Sequence, residues 1–310
     1  MTSTGRYEVE VAAPYRLDLT VSVLRRLSTN IVDVFTPQGQ YLRALSGFHD
    51  PVVVRVAQAR RSALAVSIDG QAGEHLPALA IVRRMLGVDR ELSHFERGAR
   101  GFPWLWPLAF RMRGVKPPRY PTLWEACVNA IIFQQVSLLA ASSISRRMTM
   151  ALAEPIECGG IGLRAFPSIE SFGRASDHVL RAAGLSANKL AALRRVADAL
   201  LSGVLDEASL EERSSPDAAA LLCRIKGIGP WTATVILLRG LGRLDVFPMN
   251  DSSVARNLAF VAGSVSPNID RVLAALGPQQ GMLYYHLLLA RLDARGDVGR
   301  ASVACGASGR

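Results

Sequence analysis

The stretch that decides the fold is Lys226-Gly227-Ile228-Gly229-Pro230-Trp231-Thr232-Ala233. Upstream, Ala218, Leu221, Leu222 and Ile225 fall at i, i+3, i+4 and i+7, which makes one face of a helix apolar. Downstream, Ala233, Ile236, Leu237 and Gly240 repeat that spacing. Two helices joined by Gly-Ile-Gly form a hairpin. Glycine permits backbone angles closed to other residues and lets a partner come close. The second helix starts at the turn, so its unpaired N–H groups and the positive end of its dipole face outward. That geometry suits an anion such as a DNA phosphate. The same turn also serves an ordinary αα-hairpin, and Gly-x-Gly alone does not choose between the two.

After the second helix the chain reads Leu244-Asp245-Val246-Phe247-Pro248-Met249-Asn250-Asp251. Asp251 lies 22 residues past Gly229, where another helix can begin. Aspartate is a favoured N-cap type. Asp245 is read as structural.

Away from this segment the chain changes character twice. Tyr7, Val9 and Val11 alternate with acidic residues, and Val52/Val54/Val56 and Leu64/Val66/Ile68 alternate likewise, so three strands are predicted. Ala59 to Ser62 connects the last two as a hairpin. Short helices are predicted over 17–27 and 76–87. Residues 1–100 are thus an α+β domain with a small antiparallel sheet. Residues 101–121 carry Pro103, Pro107, Gly114, Pro117, Pro118 and Pro121 and read as a loop-rich linker. From Thr122 the pattern is helix after helix, an all-α domain over 122–295. Thr122 and Glu125 form a capping box, Ser168 and Ser186 are N-caps, and Ser215-Pro216 opens another helix. Gln134 and Gln135 are placed mid-helix in an apolar run. The Gly-, Ala-, Ser- and Arg-rich tail over 296–310 is expected to be flexible.

Lys and Arg number 36 against 26 Asp and Glu, a net charge of +10, which fits a polyanionic partner and fits a solvated basic surface as well. Cys127, Cys158, Cys223 and Cys305 are far apart with no CxxC, which argues against a zinc site or a closely ligated iron–sulfur cluster. Apolar runs stop well short of the ~18 residues that span a bilayer, and a cytoplasmic protein is expected.

The series K-G-I-G-P-W-T-A, L-R-G-L-G and D-V-F-P-x-x-D resembles the helix-hairpin-helix DNA glycosylase superfamily, within it the bacterial 3-methyladenine DNA glycosylase II type. Pro14-Tyr15 and the run Ala130-Ile131-Ile132-Phe133-Gln134-Gln135-Val136-Ser137 add to the likeness. The resemblance implies a monofunctional glycosylase acting on alkylated purines in damaged double-stranded DNA, as a monomer, with no cofactor, membrane or obligate protein partner. It makes Asp251 the catalytic carboxylate. It places Trp231 and Tyr285 at the base pocket, with packing between helices the other reading of each. Contacts to DNA are implied for Lys226, Gly227, Ile228, Gly229, Thr232, Gln134, Gln135 and Ser137, with Gln135 at the position of the intercalating side chain. A monovalent cation on the hairpin carbonyls is a further possibility carried by the resemblance. Lyase members hold a lysine two residues after the second hairpin glycine; this chain has Trp231 there, which cannot form a Schiff base. Val235 and the region of Arg291 and Leu292 lack aromatics found in relatives, which leaves open removal of deaminated bases or uracil. A non-catalytic lesion sensor, with Asp251 only a cap, is the alternative of a different class.

Overall fold

The computed structural model describes residues 2–302. Five strands form one antiparallel sheet: β1 (Thr2–Glu10), β2 (Val34–Phe35), β3 (Gln40–Leu45), β4 (Val52–Arg60) and β5 (Ala63–Gln71), in the order β1-β5-β4-β3-β2. Alternation sets the register. Val54 faces Ile68 and Val56 faces Val66, so one side of the β4–β5 hairpin is a continuous apolar surface. Arg61 and Ser62 make its two-residue turn, with a bulge between Gln58 and Arg60.

Against the sheet lie α1 (Leu17–Arg25) and α2 (His75–Met85), while α3 (Ser93–Arg100) and α4 (Trp106–Arg111) join a core with the last helices of the chain. The remainder comprises α5 (Leu123–Ile132), α6 (Leu138–Leu152), α7 (Ile169–Arg174), α8 (Asp177–Ala182), α9 (Ala187–Leu201), α10 (Glu207–Glu211), α11 (Ser215–Cys223), α12 (Pro230–Arg239), α13 (Ser252–Ala262), α14 (Ile269–Leu276) and α15 (Met282–Asp293). Between α6 and α7 a hairpin, β6 (Pro155–Cys158) with β7 (Ile161–Arg164), interrupts the helical run that the sequence suggested.

α1 has apolar residues on both sides. Leu17, Val21 and Leu24 pack on the sheet, while Leu19 and Val23 join a core with α15. It therefore welds the sheet to the helices. A charged network strengthens the joint: Arg43 of β3 reaches Asp33 and Glu125 of α5, each at 2.5 Å, with all three side chains buried. Tyr41 donates to the same Asp33 at 2.7 Å. Thr122 does cap α5, accepting from the Glu125 N–H at 3.1 Å. Glu125 itself turns to Arg43 and does not complete the expected capping box; burial pushes its carboxyl up to about 7 against the pull of Arg43.

Three further expectations change. Residues 115–121 are buried rather than a surface linker, with Arg119 and Tyr120 N–H groups donating to Met85 and Arg239 carbonyls. The cap of α11 is Ser214, one residue before Ser215. Residues 297–302 are tied down: Gly299 N–H donates to Ser22, and Ser302 exchanges two hydrogen bonds with Phe35. The rest of the expected tail, 303–310, lies outside the described residues.

Candidate active site

The hairpin is α11, the turn 224–229 and α12. Ile228 anchors it, with its side chain in the core beneath α5 and α9, so only its backbone is left for a ligand. Gly227 has φ +110, and a Cβ there would lie 2.4 Å from the Ala192 Cβ of α9. This glycine is required by the fold. Gly229 differs: its φ is −97, and a Cβ would meet nothing within 4 Å. Nothing inside the protein demands glycine at 229, which leaves room for approach from outside. Gly229 is the N-cap of α12 with no side-chain cap bond, and Pro230 follows at the first turn. Lys226, Gly227 and Gly229 are exposed.

Gln134 and Gln135 are not mid-helix. α5 ends at Ile132, and residues 133–137 turn the chain into α6. The carbonyl of Ile132 at that helix end accepts from Lys189 Nζ at 2.7 Å, so Lys189 is a structural cap; burial lowers its pKa. Gln134 donates to the Gly227 carbonyl at 2.9 Å and to Thr232 Oγ1 at 2.8 Å, bracing this turn against the hairpin. Thr232 is thereby buried and bonded within the protein, so its hydroxyl is not free for the contact that the resemblance implied. Gln135 has φ +55 and is exposed, as is Ser137, which caps α6 through the Ala140 N–H at 3.2 Å.

Asp251 caps α13. Its Oδ1 accepts from the Ser253 N–H at 2.7 Å and the Val254 N–H at 3.1 Å. Its Oδ2 accepts from the Trp231 indole Nε1–H at 2.7 Å. Both side chains are partly exposed. The preceding Asn250 has φ +63, a left-handed angle that asparagine accepts better than most residues. This left-handed residue was not anticipated from the sequence, although the Asn-Asp pair carried the signal.

Tyr285 is withdrawn from the pocket. It is fully buried, its hydroxyl donates to the Leu238 carbonyl at 3.0 Å, and burial raises its pKa. Helical spacing points the preceding residue, Tyr284, in a different direction, and it is the partly exposed one. His286 is buried against Phe95, with Nδ1 2.8 Å from the Met282 carbonyl and its pKa lowered by burial to about 4. A cavity of about 40 Å³ lies between 24–33 and α5–α6, with Arg26, Asn129, Phe133 and Thr149 on its wall, and neither Trp231 nor Asp251 lines it. It has room for a few waters. Among the described residues, no His, Cys, Asp and Glu group is arranged to hold a metal, and no helix is long and apolar enough to cross a membrane.

Asp251 thus caps α13 and is bonded to Trp231 in the first turn of the second hairpin helix. Residues 128–269 match the family described as HhH-GPD superfamily base excision DNA repair protein. Over this region the chain is similar to that superfamily. The HhH-GPD region carries every residue of the hairpin and Asp251. Over 193 residues the chain is 27% identical to a DNA-3-methyladenine glycosylase of Bacillus subtilis, covering 62% of this chain and 64% of that one. The chain thus spans less than two thirds of that relative's length. The whole fold is similar to a 3-methyladenine DNA-glycosylase from Archaeoglobus fulgidus, with a TM-score of 0.77 at 23% identity, covering 94% of this chain and 100% of that one. It is also similar to a Clostridium acetobutylicum 8-oxoguanine glycosylase/lyase in complex with double-stranded DNA, with a TM-score of 0.72 at 14% identity, covering 95% and 98%. The fold therefore serves proteins named for different lesions, and the choice of reaction rests on side chains.

Proposed function

We propose that the chain is a monofunctional DNA glycosylase that hydrolyses the N-glycosidic bond of alkylated purines in duplex DNA and leaves an abasic site. The observation that carries this reading is Asp251, an aspartate fixed by three N–H donors at the start of α13. The target bond is inaccessible inside a stacked duplex, so the nucleotide is extruded at a cost of a few kcal/mol. The hairpin backbone at Gly227 and Gly229, with Lys226, grips phosphate. The exposed Gln135 and Ser137, on the turn braced by Gln134, enter the duplex beside it. Alkylation gives the purine positive charge, which makes it a good leaving group. As it departs, charge moves to the sugar, and the Asp251 carboxylate stabilises that oxocarbenium-like state while water attacks.

Trp231 supports the absence of lyase chemistry, because an indole offers no amine for a Schiff base. The B. subtilis relative's name supports the alkylated-purine substrate. The net charge of +10 fits DNA as partner, and the work is assigned to the cytoplasm and nucleoid. The test is methylated duplex DNA treated with the protein and scored before and after alkali. Release of methylated purines, with strand breaks only after alkali, supports the proposal. Breaks without alkali remove the monofunctional assignment, and no release with binding retained favours a lesion sensor.

A further inference from the structure

We infer that Trp231 is a positioning residue for Asp251, acting through its indole N–H rather than as an aromatic wall of the base pocket. This rests on the glycosylase reading above and adds to it how the carboxylate is aimed. An ionised carboxylate offers about four lone-pair positions. In this chain, three are filled: Oδ1 takes the Ser253 and Val254 N–H groups, and Oδ2 takes the Trp231 Nε1–H. One position on Oδ2 stays open for the sugar or the attacking water. Without the indole bond, the backbone donors still hold Oδ1, but Oδ2 is free to swing about it. A mis-set acceptor loses the advantage of fixed geometry, which costs as much as a hundredfold in rate for a displacement of about 1 Å.

The location of the donor matters. Trp231 sits in the first turn of α12, two residues after Gly229, and packs against the helical core. Its neighbour Thr232 is bonded to Gln134 on the turn after α5. The hairpin, the duplex-facing turn and Asp251 are therefore braced as one unit, with Trp231 the link to the carboxylate. An indole whose N–H edge is committed to Asp251 cannot give that edge to a base.

Three variants separate the two roles. Trp231→Phe keeps the ring and loses only the donor. Single-turnover base release from methylated duplex DNA is expected to fall about ten- to a hundredfold, with DNA affinity unchanged, and Trp231→His, which restores a ring N–H, is expected to recover part of the loss. In the ¹⁵N-indole spectrum, the Trp231 N–H resonance, assigned by its absence in Trp231→Phe, is expected to move on Asp251→Asn. A wild-type rate in Trp231→Phe, or an indole resonance unmoved by Asp251→Asn, overturns the inference. If wild-type protein releases no base, the glycosylase reading fails, while the indole spectrum still decides whether Trp231 holds Asp251.

Discussion

Gly227 and Gly229 sit two residues apart in one turn, yet the structure gives them opposite reasons to be glycine. At Gly227 a methyl group would stand 2.4 Å from Ala192 Cβ, on a backbone with φ +110. Overpacking costs about 1–3 kcal/mol, and a sparsely populated backbone angle about 1–3 kcal/mol more. Gly227→Ala is therefore expected to lose about 2–6 kcal/mol by summing those two effects. At Gly229 the backbone is extended and a methyl group would meet nothing. Replacing glycine by alanine at that N-cap costs within about 1 kcal/mol. The methyl group would instead occupy the space in which a phosphate approaches the free N–H groups of α12. Urea unfolding and fluorescence anisotropy on a methylated duplex separate the two. Gly229→Ala is expected to lose no more than about 1 kcal/mol of stability while binding weakens at least about tenfold, or roughly 1.4 kcal/mol. Wild-type DNA affinity in Gly229→Ala refutes phosphate seating at this turn, and wild-type stability in Gly227→Ala refutes the packing argument.

Other consequences are equally direct. Asn250→Ala places a Cβ-branching-free but less tolerant residue at φ +63, and about 1 kcal/mol of stability is expected to be lost; Asn250→Gly, measured by the same urea titration, is expected to be close to neutral. Arg43→Leu strands the buried carboxylates Asp33 and Glu125, and a loss of about 3–5 kcal/mol is expected in chemical unfolding. His286, with its pKa lowered by burial to about 4, takes up its proton in the unfolded chain first. Its contribution is complete above pH 6.5 and is lost as pH falls from there toward 4, roughly 3 kcal/mol in all. His286→Phe is expected to flatten that part of the stability–pH curve; an unchanged curve would place the titration elsewhere.

The parts of the fold that declared themselves in the sequence were those with one buried face. β4 and β5 alternate because one side packs and the other is wet at their ends, and α11 and α12 show helical spacing for the same reason. β3 escaped notice because both of its faces are covered: Tyr41 and Leu45 meet one core, while Leu42 and Ala44 meet the β6–β7 hairpin on the other. A strand buried on both sides loses its alternation. The site followed a similar rule. Local chemistry marked Asp251 as a helix cap and Gly227-Ile228-Gly229 as a turn. Contacts between distant segments were not legible: Gln134 with Thr232, Lys189 with the end of α5, and Trp231 with Asp251 each join residues 20 or more apart. Tyr285 was misplaced because neighbouring residues on a helix point about 100° apart, and the partly exposed tyrosine was Tyr284.

The most direct test of the central claim is single-turnover base release by Asp251→Asn, with DNA affinity measured on the same preparation. Asparagine is as good an N-cap as aspartate, so α13 and the fold are expected to survive. DNA binding is expected to stay at the wild-type level while release of methylated purines falls by about 10²–10³-fold. Base release at the wild-type rate would contradict the account, because a carboxylate charge at Asp251 would then not be what breaks the bond.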